Sequence, residues 1–299
     1  MDTVLRKQGL ILCGVGGLYT VEVGGDRVEC RACGRFRREK IRPLAGDRVE
    51  IEQQADGTGF VTEILPRKNA LVRPPVANLD CLVLVASMAD PLPNTLVMDK
   101  LIAVAEENGI EPVVVLNKTD LREAAELGDT YRTAGFETFL VSAREPESVR
   151  PLRAYLSGKV SAFTGNSGVG KSSLLNCIFP SLSLPTGEIS QKLGRGRHTT
   201  RSAMLYPLED GGYLVDTAGF SSLDMEQVEP ILKENLPFCF REFAPCLGKC
   251  RFTSCAHIKE TGCAVKAAVE EGQIPRSRYE SYVAMAADAE KINEWERNK

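Results

Sequence analysis

Residues 165–172 read Gly-Asn-Ser-Gly-Val-Gly-Lys-Ser, and no other segment of this 299-residue chain restricts its possible folds so tightly. A G-x-x-x-x-G-K-[ST] run works only as the turn between a buried strand and a helix. Its glycines let the backbone curl until the N–H groups converge, and the helix behind adds the positive end of its dipole. The flanks supply that context: Val160–Thr164 has the pattern of a buried strand, and Lys171–Ile178 begins a helix. Gly165, Asn166, Ser167, Gly168, Val169, Gly170 and Ser173 are therefore candidate phosphate-cradling residues. Lys171 would neutralise the β- and γ-phosphates, and Ser172 would ligate Mg²⁺.

The surroundings are α/β in texture. Leu79–Ala86 and Pro112–Leu116 are near-continuous apolar runs, as expected of parallel strands covered on both faces. Leu96–Asn108 carries helical periodicity, a second helix fits about residues 122–133, and Thr138–Val141 and Tyr213–Val215 add strands. Alternating strands and helices imply a parallel sheet with helices on both faces.

The N-terminal part reads differently. Leu18–Val23, Arg48–Glu52 and Gly59–Ile64 alternate with period two and are separated by Gly- and Asp-containing turns, which suits a small closed β-barrel. An OB-like barrel that binds RNA is the commonest such solution, and alternation alone does not separate it from an SH3-like one. Between Arg27 and Arg42 lie seven basic residues and two acids, although the whole chain has a net charge of only −3. That run is either a solvated strand face or a local phosphate-binding patch.

Arg6 and Lys7 before Gly9–Val15 imitate a signal peptide, but glycines interrupt the stretch and no small-x-small cleavage site follows. No segment approaches the ~18 uninterrupted apolar residues of a membrane span. With 43% hydrophobic and 26% charged residues, a packed cytoplasmic protein with reduced thiols is the expectation.

Asn117-Lys118-Thr119-Asp120 follows the Pro112–Leu116 strand. A carboxylate at Asp120 can accept two hydrogen bonds from the N1 and N2 hydrogens of guanine, which adenine cannot offer. Asn117 can bond the purine edge and the neighbouring loop, the Lys118 stem can lie over the ring, and Ser142-Ala143 would finish the base pocket. Asp216-Thr-Ala-Gly219 supplies a D-x-x-G after the Tyr213–Val215 strand, with Asp216 near Mg²⁺ and the Gly219 amide near the γ-phosphate. In the Gly194–Arg201 loop, Thr199 or Thr200 would complete the Mg²⁺ shell, Thr200 in preference. Phe220 stands where many such sites carry a water-orienting glutamine, and His198 is the histidine at hand for that task.

Cys250, Cys255, His257 and Cys263 offer three thiolates and an imidazole within fourteen residues, enough for a closed tetrahedral Zn²⁺ site. Cys239 and Cys246 lie close enough that spacing alone leaves the ligand choice open. Cys30-x-x-Cys33 has no second pair nearby and reads as barrel strand. Glu280–Glu296 has the spacing of a closing amphipathic helix.

The order of these motifs, base-reading loop first and phosphate loop second, resembles the small-ribosomal-subunit-dependent GTPases, the RsgA (YjeQ, EngC) group. Gly46-Asp47-Arg48-Val49, Gly165–Ser173, Gly196–Thr200, Cys250–Cys263, Gly272–Ile274 and Arg278–Tyr282 carry the resemblance over nearly the whole chain. Ala218 stands where that family commonly has proline, and Cys33 where it often has arginine. The resemblance implies an OB-like RNA-binding barrel over residues 1–68. A circularly permuted α/β P-loop GTPase domain then spans 69–226, and an α-helical zinc-binding domain 227–299. It implies GTP/GDP, Mg²⁺ and one Zn²⁺ per chain, with Cys250, Cys255, His257 and Cys263 as ligands and Cys246 as an extra. It also implies a monomer that acts late in small-ribosomal-subunit maturation, binds its ribosomal RNA and leaves after hydrolysing GTP. Three other readings fit parts of the pattern: a GTP-gated RNA-binding assembly switch with negligible hydrolysis, an ATP-using P-loop protein, and a zinc-thiol redox protein.

Overall fold

The alternation between residues 18 and 64 closes into a barrel. In the computed structural model, which describes residues 5–72, 74–180, 203–216 and 231–291, the barrel comprises five strands. They are β1 (Leu5–Val15), β2 (Leu18–Val23), β3 (Asp26–Ala32), β4 (Arg48–Gln53) and β5 (Gly59–Ile64), with a short helix α1 (Gly34–Arg38) after β3. β1 pairs with both β2 and β4, β3 runs parallel to β5, and β4 is antiparallel to β5, which gives the closed order of an OB-type barrel. Inward-pointing Ile11, Val21, Val28, Val49, Ile51 and Val61 fill it, each at most 4% exposed. The basic residues between Arg27 and Arg42 are all exposed, on β3, on α1 and on the loop after it. Glycines and a shift of register between Ile11 and Cys13 interrupt the apolar pattern of β1, because its two ends serve different partners. Cys30 lies on β3, whereas Cys33 caps α1 just beyond it.

A two-stranded hairpin, β6 (Ala70–Leu71) and β7 (Val76–Ala77), leads from the barrel to the second region. There β8 (Cys81–Ser87), α2 (Thr95–Glu107), β9 (Glu111–Asn117), α3 (Ala125–Thr133), β10 (Glu137–Leu140), α4 (Pro146–Leu156), β11 (Val160–Thr164) and α5 (Lys171–Ile178) alternate, and β12 (Met204–Pro207) and β13 (Tyr213–Asp216) follow. The strand order is β10-β9-β8-β11-β13-β12. All pairs are parallel except β12–β13, whose short turn permits only antiparallel pairing. The period-two rule explains how β8 and β9 are buried on both faces. Val83, Val85, Val113 and Val115 pack with Leu152 of α4 and Leu174 of α5. Leu84, Ala86, Val114 and Leu116 face the other way, onto Met98 and Ile102 of α2 and Tyr131 of α3.

The C-terminal region holds two 3-10 turns, Leu236–Cys239 and Arg241–Phe243, then α6 (Ala264–Glu270) and α7 (Arg276–Ala289). The closing helix thus starts earlier than its periodicity suggests, and residues 292–299 lie outside the described residues. Its buried face packs on Phe240 and Phe243 and, across the region boundary, on Ala103 and Val104 of α2. The contact contains a buried ion cluster. Arg278, 1% exposed, donates from Nη1 to Asp99 Oδ1 on α2 at 2.7 Å and from Nε to Glu242 Oε1 at 2.7 Å. Tyr131 Oη also donates to Asp99 Oδ1, at 3.1 Å. The Arg278 guanidinium sits over the Phe240 ring at 4.6 Å. Burial works against the charge of Arg278, but the carboxylates of Asp99 and Glu242 outweigh it, and its pKa lies above the ordinary arginine value. Among the described residues no helix is long and apolar enough to cross a membrane.

Candidate nucleotide site and metal centre

The carboxyl ends of β8, β9, β10 and β11 form one edge of the sheet, where open α/β folds bind their ligands. The turn after β11 is the cradle. Gly165 takes φ +147° and Gly170 φ +92°. A Cβ on Gly165 would lie 2.2 Å from Val85 O, and one on Gly170 would lie 2.5 Å from Asn117 Nδ2. No side chain fits at either position. Lys171 folds back inside the turn, donating to the carbonyl of Gly165 and, at 2.9 Å, to that of Asn166. Burial lowers its pKa to about 8. Ser172 is half-buried and Ser173 exposed in the first turn of α5.

The loop after β9 is bound to this cradle through its own side chains. Asn117 Nδ2 donates to Val169 O at 2.9 Å, and Lys118 Nζ donates to Gly168 O at 2.8 Å and to Asp90 O at 2.7 Å. Lys118 adopts φ +65°, which turns its stem towards the cradle. Asn117 is 1% exposed and its Oδ1 has no hydrogen-bond partner among the described residues. The Thr119 amide bonds Val141 O at 3.2 Å, which ties the loop to the end of β10. Ser142 Oγ donates to Asp120 Oδ1 at 2.7 Å, and Arg144 Nη1 stands 3.5 Å from Oδ2. Ala143 is half-buried beside them. The arrangement brings the Asp120 carboxylate, the Asn117 amide oxygen, the glycine-containing turn and the buried Lys171 ammonium to one edge of the sheet.

Sequence reasoning missed three contributors. Asp90 supplies only a carbonyl, and Arg144 touches Asp120 only through the fold. Ser148, on α4, accepts the Ser142 amide at 2.9 Å and donates to Glu145 O at 2.7 Å. A carbonyl or a hydroxyl bonded to backbone leaves no motif. β13 brings the backbone of Asp216 to the same edge; the Asp216 side chain and His198, Thr200 and Gly219 lie outside the described residues.

In the C-terminal region the donor atoms of Cys250, Cys255, His257 and Cys263 all lie within 4.8 Å of one another, and among the described residues this is the one such group. Cys246 and Cys239 stand outside it. His257 Nδ1 is 3.5 Å from Cys250 Sγ and 3.4 Å from Cys263 Sγ. The backbone around them is locked. His257 adopts φ +60°, Glu260 accepts the amides of Ala256, Ile258 and Lys259, and the hydroxyls of Tyr279 and Tyr282 donate to the carbonyls of His257 and Ala256. Burial pushes the Cys255 thiol up to about 12 and holds His257 below its ordinary value. The cluster can hold one metal ion, whose charge would reverse the burial penalty on the thiolates.

A P-loop joined to an Asn-Lys-x-Asp loop that precedes it in the chain defines a circularly permuted GTPase. The family models described as RsgA GTPase and RsgA N-terminal domain match residues 64–226 and 8–61. The small ribosomal subunit biogenesis GTPase RsgA of Caldanaerobacter subterraneus subsp. tengcongensis is 48% identical over 94% of this chain and 95% of its own. The crystal structure of YjeQ from Thermotoga maritima matches with TM-score 0.83 and 36% identity over 97% of this chain and 100% of that one. YloQ, described as a circularly permuted GTPase, matches with TM-score 0.79 and 33% identity over 96% of each chain. The chain belongs to the RsgA GTPase family. Membership makes it a GTP hydrolase and implies a guanine nucleotide and Mg²⁺.

Proposed function

We propose that the chain acts in late maturation of the small ribosomal subunit, binding ribosomal RNA and leaving after GTP hydrolysis. The observation that carries this reading is the bonding of Asn117 and Lys118 to the carbonyls of Val169 and Gly168, which makes one site from two motifs in reversed order. Asp120, aligned by Ser142, reads the guanine N1 and N2 hydrogens. Asn117 Oδ1 and Ala143 face the purine edge, and the Lys118 stem covers the ring. Amides of Gly165–Gly170 and the ammonium of Lys171 hold the phosphates, whose charge compensates the burial of that ammonium. Ser172 and Thr200, with Asp216 through water, would hold Mg²⁺, which would neutralise charge on the β- and γ-phosphates. The Gly219 amide reads the γ-phosphate, and His198 orients the attacking water in place of the glutamine that Phe220 displaces.

The exposed cations between Arg27 and Arg42 meet RNA phosphates. The Cys/His cluster takes zinc. Zn–S and Zn–N bonds of about 2.3 and 2.0–2.1 Å give tetrahedral edges of about 3.8 Å between sulfurs and 3.6 Å between sulfur and nitrogen. The corresponding separations here are 4.0 Å for Cys250–Cys263, and 3.5 and 3.4 Å to His257. Residues 1–68, 69–226 and 227–299 divide as barrel, GTPase domain and zinc-binding domain of a cytoplasmic monomer. The test is turnover of GTP and ATP with purified small subunits, large subunits and neither. Strong stimulation of GTP turnover by small subunits alone is expected, and equal rates in the three conditions would refute the assignment.

A further inference from the structure

The barrel and the GTPase sheet share one edge. Beyond its pairing with β4, β1 pairs with β12 at Cys13–Met204 while still paired with β2, and Leu12 of β1 packs in one core with Ala203, Leu205 and Val215. β12 follows the segment that carries His198 and Thr200, and β13 ends at Asp216. A side-chain bond crosses this junction from β13: Tyr213 Oη donates to Glu22 of β2. Burial, then the bond to Glu22, pushes the Tyr213 phenol up to about 12, so it remains a donor throughout the physiological range. Glu22 is paired in register with Arg27, the first residue of the basic run, so the two share a face of the barrel sheet.

We propose that Glu22 and Tyr213 are positioning residues that link the barrel's RNA-binding face to the strand carrying Asp216. A phosphate drawing on Arg27 changes the charge beside Glu22, and the bond to Tyr213 passes that change to β13. By reciprocity, the nucleotide state set at the end of β13 alters the barrel's affinity for RNA by the same factor. The inference rests on the functional reading above and adds the residues through which its two sites communicate. Tyr213 belongs to neither site, and its hydroxyl bonds Glu22 rather than a residue assigned to either.

The experiment measures affinity for purified small subunits with GDP and with a non-hydrolysable GTP analogue bound, and takes the ratio. Wild type is expected to give a ratio within the roughly 5–150-fold range of ordinary coupling. Tyr213→Phe and Glu22→Ala should each lower that ratio about fivefold or more, with nucleotide affinity and basal turnover within about twofold of wild type. Glu22→Gln, which keeps an acceptor, should retain part of it, and the double variant should be no worse than either single. An undiminished ratio in Tyr213→Phe would overturn the inference. A wild-type ratio of one would overturn it together with release on hydrolysis, while stimulation of GTP turnover by small subunits, measured separately, would still carry the rest of the functional reading. A wild type that binds no small subunits with either nucleotide would overturn both.

Discussion

Arg278→Met removes the cation at the boundary between α2 and α7 while keeping a long unbranched side chain. The side chains of Asp99 and Glu242 are 1% and 2% exposed, so both carboxylates would stay buried without their counter-ion. Breaking a buried pair from one side costs about 3–5 kcal/mol, chiefly because of the orphaned charge. The loss of the guanidinium over Phe240 adds to this. Local opening of α7 should become easier by the same amount. Hydrogen exchange reads that opening directly, and the protection of slowly exchanging α7 amides should fall by about two to four decades. β8 and β9, on the far side of the boundary, should change much less. Arg278→Met combined with Asp99→Asn and Glu242→Gln should recover most of the loss, because the charges that demanded the cation are gone. A fall of less than one decade in the single variant, or a triple variant as labile as the single, would refute this account.

Chelation should release one zinc per chain and unfold the Cys250–Cys263 loop, read by metal analysis and proteolysis, and Cys255→Ser should bind the ion more weakly. Gly170→Ala puts a methyl 2.5 Å from Asn117 Nδ2 at φ +92°, and should weaken GDP binding at least about tenfold with the barrel unaffected. Unaltered affinity in a fluorescent-GDP titration would contradict the cradle geometry. His198→Ala should lower GTP turnover by about 10²-fold or more while leaving nucleotide affinity unchanged, and retained turnover would remove His198 from the proposed mechanism.

Local pattern carried much of this architecture. The strands of the barrel at Leu18–Val23 and Gly59–Ile64, and the β11–turn–α5 unit, lie where alternation and glycine spacing put them. Features that depend on partners far along the chain were less legible. β1 hides behind its glycines because it serves β4, β2 and β12 in turn. α4 carries Pro146 at its start and Pro151 inside, so its propensity argues against the helix that Val149, Leu152 and Leu156 stabilise by burial. The site divides in the same way. Asn117–Asp120 and Gly165–Ser172 are contiguous motifs, whereas the Asp90 carbonyl and Ser148 act through backbone geometry that only the folded chain assembles.

Helix α2 has a consequence for how this architecture can be taken apart. Its one flank, through Met98 and Ile102, completes the core over the nucleotide-binding sheet, while Ala103 and Val104 sit in the core of the Cys/His region. A fragment ending before residue 231 would bare that second flank to water, together with an unneutralised Asp99. Such a truncation should aggregate rather than behave as a smaller enzyme. The C-terminal region therefore cannot be lost, swapped or acquired as an independent module unless α2 is rewritten with it.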